Sequence, residues 1–374
     1  MKILIAGDYC PCLRVAKCFE NEDFETVFGE IKPVVAEVDY SIVNLEAPVV
    51  ERTAQPIVKC GPNLKCSKNG LKAAKWTGIN CVSLANNHFL DYGETGVRDT
   101  IENCHAFGLD FVGGGMNIIE ASHVLYKDVA GQKLAVINCC EHEFSIATEN
   151  TGGSNPLNPI QQYYSIRETR DNADIVLVIT HGGNENYQLP SPRMVETYRF
   201  FIDAGADAVI NHHQHCYSGY EIYHGKPIFY GLGNFCFDDR IERNTLWNEG
   251  YMVILDYENN SFGFEIIPYN QCNEYPTVKI LEQGAFDEKI KELNETIANN
   301  KRLLQSINDY YLKNASSCES IFEPIRNRVF SMAKYYGLFP SLISKKRILL
   351  AKNMLSCESH HDRLKWWADS FIKK

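Results

Sequence analysis

The sequence is short of the features that mark exported and membrane-spanning proteins. It has no apolar stretch long enough to cross a bilayer, and the apolar run after Lys2 is too short for the core of a signal peptide. Its 14 cysteines include no Cys-x-x-Cys pair. We therefore expect a cytoplasmic protein without a transmembrane segment, whose cysteines are reduced and mostly buried.

Positive charge is also scarce. The 374 residues contain 37 Lys and Arg against 47 Asp and Glu, which gives a formal net charge of −10. This balance argues against binding nucleic acid through bulk charge, so we predict no nucleic-acid partner. The hydrophobic fraction of 45% supports a sizeable core, and the length suggests two domains or one large domain with an appendage.

The chain does contain a series of short apolar strands that each end in a polar side chain. These side chains are Asp8, Glu46, Asn87 with the adjacent His88, His181, and His213 with His215. Because strand ends on one edge of a sheet lie together, we expect the side chains to converge. Two carboxylates, an amide and three imidazoles are enough for two divalent metal ions that share a carboxylate. Mixed oxygen and nitrogen ligands favour Mn, Fe or Zn over Mg or Ca.

The densest part of this pattern lies between Asp203 and Asn234. The apolar run Ala206 to Ile210 predicts a buried strand, and His212, His213 and His215 come directly after it. In an extended segment the two imidazoles of a His-x-His pair point the same way, and two imidazoles held together chelate a metal. The alternative interpretation is a polar loop with surface histidines.

The character of the sequence changes after about Thr277. Residues 281 to 315 show a long charged helical pattern with few apolar residues, and shorter helical stretches follow and end in Trp366 and Trp367. We predict one domain over residues 1–276 and a helical C-terminal region over residues 277–374. The two tryptophans could contact a membrane or a partner, or could dock the region onto the domain.

Five parts of the chain match a known family pattern. They are Gly7-Asp8, Asn44 to Pro48, Ser83 to His88 with Asp91 to Gly93, Thr180 to Gly183 with Glu185, and Gly205 through His213-Gln214-His215 to Phe235. On these segments residues 1 to about 270 resemble the CapA-like poly-γ-glutamate capsule biosynthesis family, within the calcineurin-like metallophosphoesterase superfamily. The Ala-Asn-Asn-His segment and the segment that ends in Leu-Gly-Asn-Phe are the specific parts of the match.

The resemblance implies a four-layer αββα sandwich of two mixed sheets, with metal ions at the strand ends and a C-terminal helical appendage. It also implies which residues hold the two ions. Asp8 and His215 would hold one ion, and Glu46 would bridge the pair. The second ion would be held by Asn87, His181 and His213. His88 would act as an acid or electrophile beside the phosphate rather than as a ligand.

The sequence departs from the superfamily pattern at the first metal site. Where the superfamily has a His two residues after the first Asp, this chain has Cys10, which either ligates zinc or iron as a thiolate or points into the core. The bridging carboxylate is Glu46 instead of the usual Asp, which changes the expected spacing of the ions. His212 stands where the family more often has Gly, and we interpret it as lying behind the ligands or as exposed.

Further polar residues lie close to the ligand segments in the sequence. They are expected to hydrogen-bond the ligands or the substrate, or else to cap loops. These residues are Asn86, Glu185 and Asn234. Glu141, His142 and Glu143 follow a strand end, and they either reach the cleft or form a solvated loop.

The leading functional prediction is a metal-dependent hydrolase of phosphate esters, acting on a phosphorylated small molecule or an anionic polymer. In such enzymes two cations polarise the phosphoryl oxygens and lower the pKa of an attacking water. The second prediction is a non-catalytic accessory factor in the synthesis or export of an anionic polymer such as poly-γ-glutamate. The third is a metal-dependent amidase or peptidase.

Overall fold

The computed structural model describes residues 1–59, 61–239, 242–258, 261–313 and 327–338, with single positions at 344, 345, 348 and 351. Contacts divide the chain into two units, Met1–Leu303 and Leu304–Lys374. Both large sheets and every residue predicted for the site belong to the first unit. Trp366 and Trp367 lie outside the described residues.

The first sheet carries the N-terminal part of the predicted site. Its strands are β1 (Lys2–Cys10), β2 (Tyr40–Leu45), β3 (Cys81–Ser83), β4 (Asp110–Val112), β13 (Asn234–Phe237), β14 (Glu249–Glu258), β15 (Ser261–Gln271) and β16 (Val278–Ile280). In the described chain their order is β16-β15-β14-β1-β2-β3-β4, and β13 pairs with the end of β1. Strands β1 to β4 run parallel and β14 runs antiparallel to β1, so the sheet is mixed.

The second sheet carries the histidine-rich part of the predicted site. Its strands are β6 (Leu125–Val129), β7 (Gln132–Cys140), β9 (Ile175–His181), β10 (Ala208–His212), β11 (Tyr220–Tyr223) and β12 (Lys226–Phe229). They lie in the order β11-β12-β10-β9-β7-β6, with parallel strands in the centre and antiparallel strands at both edges. The short strands β5 (Gly114–Gly115) and β8 (Gly153–Ser154) form a separate pair.

Helices of the first unit cover the outer faces of its two sheets. The helices in the described ranges of the whole chain are α1 (Leu13–Glu20), α2 (Phe24–Phe28), α3 (Lys32–Val35), α4 (Lys68–Thr77), α5 (Gly93–Phe107), α6 (Ile118–Ala121), α7 (Pro159–Arg170), α8 (Pro192–Ala204), α9 (Gln283–Ala298), α10 (Asn300–Lys313) and α11 (Arg328–Tyr335), and the last of these belongs to the second unit. One buried cluster joins the first sheet to α1, α2, α4 and α5, while α7 and α8 contact the second sheet. No helix within the described residues is long and apolar enough to cross a membrane.

A second buried cluster fills the space between the sheets. Ile3 and Ile5 of β1 and Ile42 of β2 pack there against residues of the second sheet such as Ile179 and Ile210. Successive side chains of a strand point to opposite faces, so the intervening Leu4 and Ala6 belong to the helix-facing cluster. The chain therefore has the predicted four-layer αββα architecture of two mixed sheets.

The unit that contains the sheets extends to Leu303, beyond the boundary predicted at residue 276. The reason lies in α9, which contacts β11 and β15. Phe286 is buried, and its ring lies 4.8 Å from that of Tyr217 and 5.9 Å from that of Tyr251. Helix α9 is thus part of the core around the second sheet and not of a separate appendage.

Candidate metal centre

The polar residues at the strand ends converge where the two sheets meet. Asp8 lies near the end of β1, Glu46 directly follows β2, and Asn87 lies in the loop after β3. From the second sheet, His181 is the last residue of β9. His213 and His215 come just after β10. The carboxylate oxygens and imidazole nitrogens of these residues form two groups. One consists of Glu46, His181 and His213, and the other of Asp8, Glu46 and His215, and within each group the ligand atoms lie within 4.8 Å of one another.

The first group is centred on Nε2 of His181. This nitrogen lies 3.1 Å from Nδ1 of His213, 3.1 Å from Oδ1 of Asn87 and 3.7 Å from Oε1 of Glu46. Metal–ligand bonds of about 2.0–2.2 Å place neighbouring ligands of a tetrahedral ion about 3.3–3.6 Å apart. The distances from Nε2 of His181 to the other three donor atoms, 3.1–3.7 Å, are close to this spacing.

The second group is centred on His215. Its Nδ1 lies 3.0 Å from Oδ1 of Asn234 and 3.6 Å from Oδ2 of Asp8, and its Nε2 lies 3.5 Å from Oε1 of Glu46. If Nδ1 donates to the amide oxygen of Asn234, Nε2 presents its lone pair to the space beside Glu46. Glu46 therefore belongs to both groups, as a bridging carboxylate must.

Glu46 itself is the strongest sign that a cation belongs here. The residue is fully buried, and neither carboxylate oxygen accepts a hydrogen bond from any described residue. Burial, followed by the negative charges of Asp8 and Glu185, raises the pKa of this carboxyl well above its usual range. A buried carboxylate without donors is costly, and a bound cation would remove the cost. The residues present therefore fit bound divalent metal.

The neighbouring groups are held in the protonation states that ligands need. Burial, followed by the nearby imidazole of His213, lowers the pKa of His181 well below its usual value, and burial also lowers the pKa of His215. Burial alone would raise the pKa of Asp8, but contacts with His212, His215 and Asn44 outweigh it and lower that pKa. Neutral imidazoles and an ionised carboxylate are the forms that bind metal.

The backbone at the two ligand histidines differs from the extended segment that the sequence suggested. Strand β10 ends at His212, and φ is +93° at His213 and +55° at His215. Such left-handed conformations cost about 1–3 kcal/mol each and persist only where the surroundings impose them. The backbone N–H of His213 donates to Asp8, and Asn234 donates to the carbonyl of His215. The imidazoles thus meet through these loop conformations and not through strand alternation.

His88 lies beside the centre but in neither ligand group. Its Nδ1 is 2.7 Å from Oδ2 of Asp91. Lys59 forms an ion pair with Asp91, and its Nζ lies 3.2 Å from Nδ1 of His88, with only 2% of its side chain exposed. Nothing in the sequence singled out Lys59, because it comes from a loop without a periodic pattern.

The candidate ligand Cys10 does not reach the centre. The strand register shifts between Asp8 and Tyr9, and after this shift both Tyr9 and Cys10 pack in the helix-facing core. A hydrogen bond with Cys12, followed by burial, raises the pKa of the Cys10 thiol well above its usual range. A neutral buried thiol is a poor ligand, so Cys10 is a core residue in this structure.

The residues around the ligands fall into three kinds. His212 is buried with Nδ1 3.4 Å from Oδ1 of Asp8, so it lies behind that ligand and is not exposed. Asn86 shapes its loop by donating to the carbonyl of Leu45 and accepting from the backbone of His88. Glu185 is exposed and acts on Glu46 and His215 only through its charge.

The loop after β7, which contains Glu141, His142 and Glu143, was expected either to reach the cleft or to be solvated. Glu141 forms an ion pair with Arg193 at 2.5 Å, and His142 is exposed. Their neighbour Glu143 does reach a ligand, because it accepts a hydrogen bond of 2.8 Å from the amide of Asn87. Asn44, to which the sequence analysis gave no role, donates to Asp8 at 2.7 Å, and its only signal was its place at the end of β2.

Comparison with known proteins gives a consistent result. The family model described as "Bacterial capsule synthesis protein PGA_cap" matches residues 2–239. The capsule biosynthesis protein CapA of Bacillus anthracis is 33% identical over 246 residues, which are 64% of this chain and 60% of that protein. The PGA biosynthesis protein CapA of Bacillus subtilis is 31% identical over 266 residues, which are 70% of this chain and 69% of that protein.

Among solved structures, one described as a novel phosphatase from Mycoplasma pneumoniae aligns with a TM-score of 0.47 and 14% identity. The alignment covers 73% of this chain and 95% of the phosphatase. Of the two CapA relatives, the chain spans less than two thirds of the length of the Bacillus anthracis protein and slightly more than two thirds of the length of the Bacillus subtilis protein.

Proposed function

The chain belongs to the bacterial capsule synthesis protein family PGA_cap, and on that premise we propose that it is a metal-dependent hydrolase of phosphate esters. The observation that carries the proposal is the carboxylate of Glu46. It is buried, has no donor among the described residues, and stands between two separate sets of ligand atoms. A structural histidine cluster has no need of such a group, whereas a pair of ions that share one ligand does.

The proposal assigns each ligand to one of the two ions. Asp8 and His215 would hold one ion, and Glu46 would contact both. The other ion would be held by Asn87, His181 and His213. When bound, two divalent ions polarise a phosphoryl group and supply an activated water at neutral pH. Mn, Fe and Zn all suit this mixture of oxygen and nitrogen donors.

His88 is the residue that we assign to the chemistry. Because its Nδ1 faces the carboxylate of Asp91, the proton on that nitrogen is held and Nε2 is the atom left to meet a substrate. When Nε2 also carries a proton, the imidazolium can donate that proton to the oxygen of the leaving group and return to its neutral form. Lys59 stabilises Asp91 on its other side and so holds the pair in place.

The proposal is tested by turnover of an aryl phosphate ester. Metal-free protein should be inactive, and addition of Mn or Zn should restore hydrolysis, while the Glu46→Gln variant should stay inactive with either metal. Fully metal-loaded protein that hydrolyses neither a phosphate monoester nor a diester would contradict the proposal. Cleavage of a γ-glutamyl anilide instead would show that the same centre acts on amides.

A second function is favoured by the name of one relative, a PGA biosynthesis protein. The chain could bind an anionic polymer through its metal ions without turnover, as an accessory factor in its synthesis. Metal-dependent binding of poly-γ-glutamate by a protein that is inactive on every ester and amide tested would favour this function.

A further inference from the structure

We propose that Glu143 is a positioning residue that turns the side-chain amide of Asn87 so that its oxygen faces the metal centre. The inference rests on the proposed function, because it requires Asn87 to be a ligand. Glu143 lies in the loop after β7 of the second sheet, whereas Asn87 lies in the loop after β3 of the first sheet, so the contact joins the two sheets.

The amide of Asn87 has two unlike ends, and only one of them can bind a cation. Its oxygen has lone pairs, whereas its nitrogen carries two protons and donates. The nitrogen donates to Oε2 of Glu143 at 2.8 Å, while the oxygen lies 3.1 Å from Nε2 of His181. An ionised carboxylate only accepts, so it selects the orientation in which the nitrogen faces Glu143 and the oxygen faces the histidines.

The loop that carries Glu143 is itself fastened to the segment that carries Asn87. The hydroxyl of Ser145 accepts from the backbone N–H of Leu90 at 3.1 Å, and the N–H of Glu143 donates to the carbonyl of Glu141 at 3.0 Å. Asn87 is 4% exposed, whereas Glu143 is at the surface. A surface carboxylate therefore controls a buried ligand, and it can be replaced without opening the core.

The same loop offers a matched control. Glu141 is two residues away and carries the same charge, but its carboxylate pairs with Arg193 and not with a ligand. Replacing Glu141 with Ala changes the charge of the loop as much as replacing Glu143 does. A difference between the two variants therefore reports the contact with Asn87 and not the general field of the loop.

The test is the affinity of metal-free protein for Mn, measured by calorimetric titration. Removal of a hydrogen-bond partner of a ligand typically weakens metal binding about ten- to a hundredfold. Glu143→Ala should weaken the binding of one of the two ions by this factor and leave the affinity for the other ion unchanged. Glu143→Gln keeps an acceptor for the amide and should bind within a few-fold of the parent, as should Glu141→Ala. Equal affinities in Glu143→Ala and Glu141→Ala would overturn the inference.

Reversing the hydrogen bond gives a second, independent readout. In the Asn87→Asp variant two carboxylates face each other, and a further Glu143→Gln substitution supplies an amide that donates to the new carboxylate. Glu143→Gln should therefore tighten Mn binding in the Asn87→Asp background by about tenfold relative to its effect in the parent. Identical effects of Glu143→Gln in both backgrounds would show that the two side chains are not coupled, and would overturn the inference.

These measurements separate the inference from the proposed function. A parent protein that binds no transition metal contradicts the metal centre and the inference together. A parent that binds two ions, with Glu143→Ala unchanged in affinity and in near-ultraviolet circular dichroism, contradicts only the role of Glu143.

Discussion

Replacing Glu46 with Gln should change the stability of the protein in opposite directions with and without metal. In the metal-free protein both carboxylate oxygens are buried and lack a donor among the described residues. A buried polar group left unsatisfied costs about 1–3 kcal/mol, and a charged one costs more. Gln carries no charge, and its amide can donate to the neighbouring carboxylate of Asp8. We therefore expect Glu46→Gln to raise the free energy of unfolding of the metal-free protein by about 1–3 kcal/mol.

With metal present the order should reverse. An ion at a concentration of a thousand times its Kd stabilises the folded protein by about 4 kcal/mol. The free energy of unfolding of the parent should rise by this amount for each bound ion. Glu46→Gln lacks the ligand that both groups share, so metal should raise its free energy of unfolding only a little. With metal bound, the parent should therefore be more stable than Glu46→Gln, whereas without metal the parent should be less stable than Glu46→Gln.

The dependence on pH follows from the raised pKa of Glu46. The folded protein keeps a proton on this carboxyl above its ordinary pKa of 4.5, whereas the unfolded chain releases it. This contribution lowers the stability of the metal-free parent as pH rises above 4.5, and Glu46→Gln lacks it. The difference between variant and parent should therefore widen from acid to neutral pH.

Urea unfolding in EDTA and in excess Mn, at several pH values, measures all three effects. Glu185→Gln is the control, because it removes the same charge from an exposed residue near the centre. A metal-free Glu46→Gln protein that is less stable than the parent, or that gains as much from Mn as the parent does, would refute the reasoning.

The other predictions concern single side chains. His213→Ala should release the ion held with His181 and keep the other, so elemental analysis should find about half the metal of the parent; full metal content would contradict the ligand assignment. His88→Ala should keep the metal content while turnover of a phosphate ester falls at least about a hundredfold, and loss of metal would make His88 a ligand. Phe286→Ala should lower the free energy of unfolding by about 3–5 kcal/mol in urea; a loss no larger than that of the exposed Tyr275→Ala would contradict the docking of α9.

The convergence of the strand ends could be predicted because it depends only on local patterns. A buried apolar run followed by a carboxylate or an imidazole marks the end of a strand, and parallel strands bring such ends to one edge. The bridging place of Glu46 and the grouping of the histidines came from the resemblance to a family. The ligand roles of these residues stay predictions, which a measurement of bound metal tests.

Contacts between loops could not be predicted in the same way. Lys59 meets Asp91, and Glu143 meets Asn87, only because segments distant in the chain come together beside the centre. The face of β1 to which the Cys10 side chain points depends on a register shift between Asp8 and Tyr9, which no sequence pattern indicates.

The docking of α9, in contrast, did leave a signal. Phe286, Ile290, Leu293 and Ile297 are spaced by four, three and four residues, which is the stripe of a helix with one apolar face. All four contribute to or pack beside buried parts of the first unit. Composition alone does not show this stripe, because charged residues outnumber apolar ones in the segment from Phe286 to Ile297.

The central claim is a pair of ions held by one shared carboxylate, and electron paramagnetic resonance of the Mn-titrated protein tests it most directly. If Glu46 bridges the pair, two Mn ions should bind per chain and give the spectrum of a magnetically coupled pair, which Glu46→Gln should abolish. A single bound ion, or two ions whose spectra are those of isolated Mn, would contradict the account.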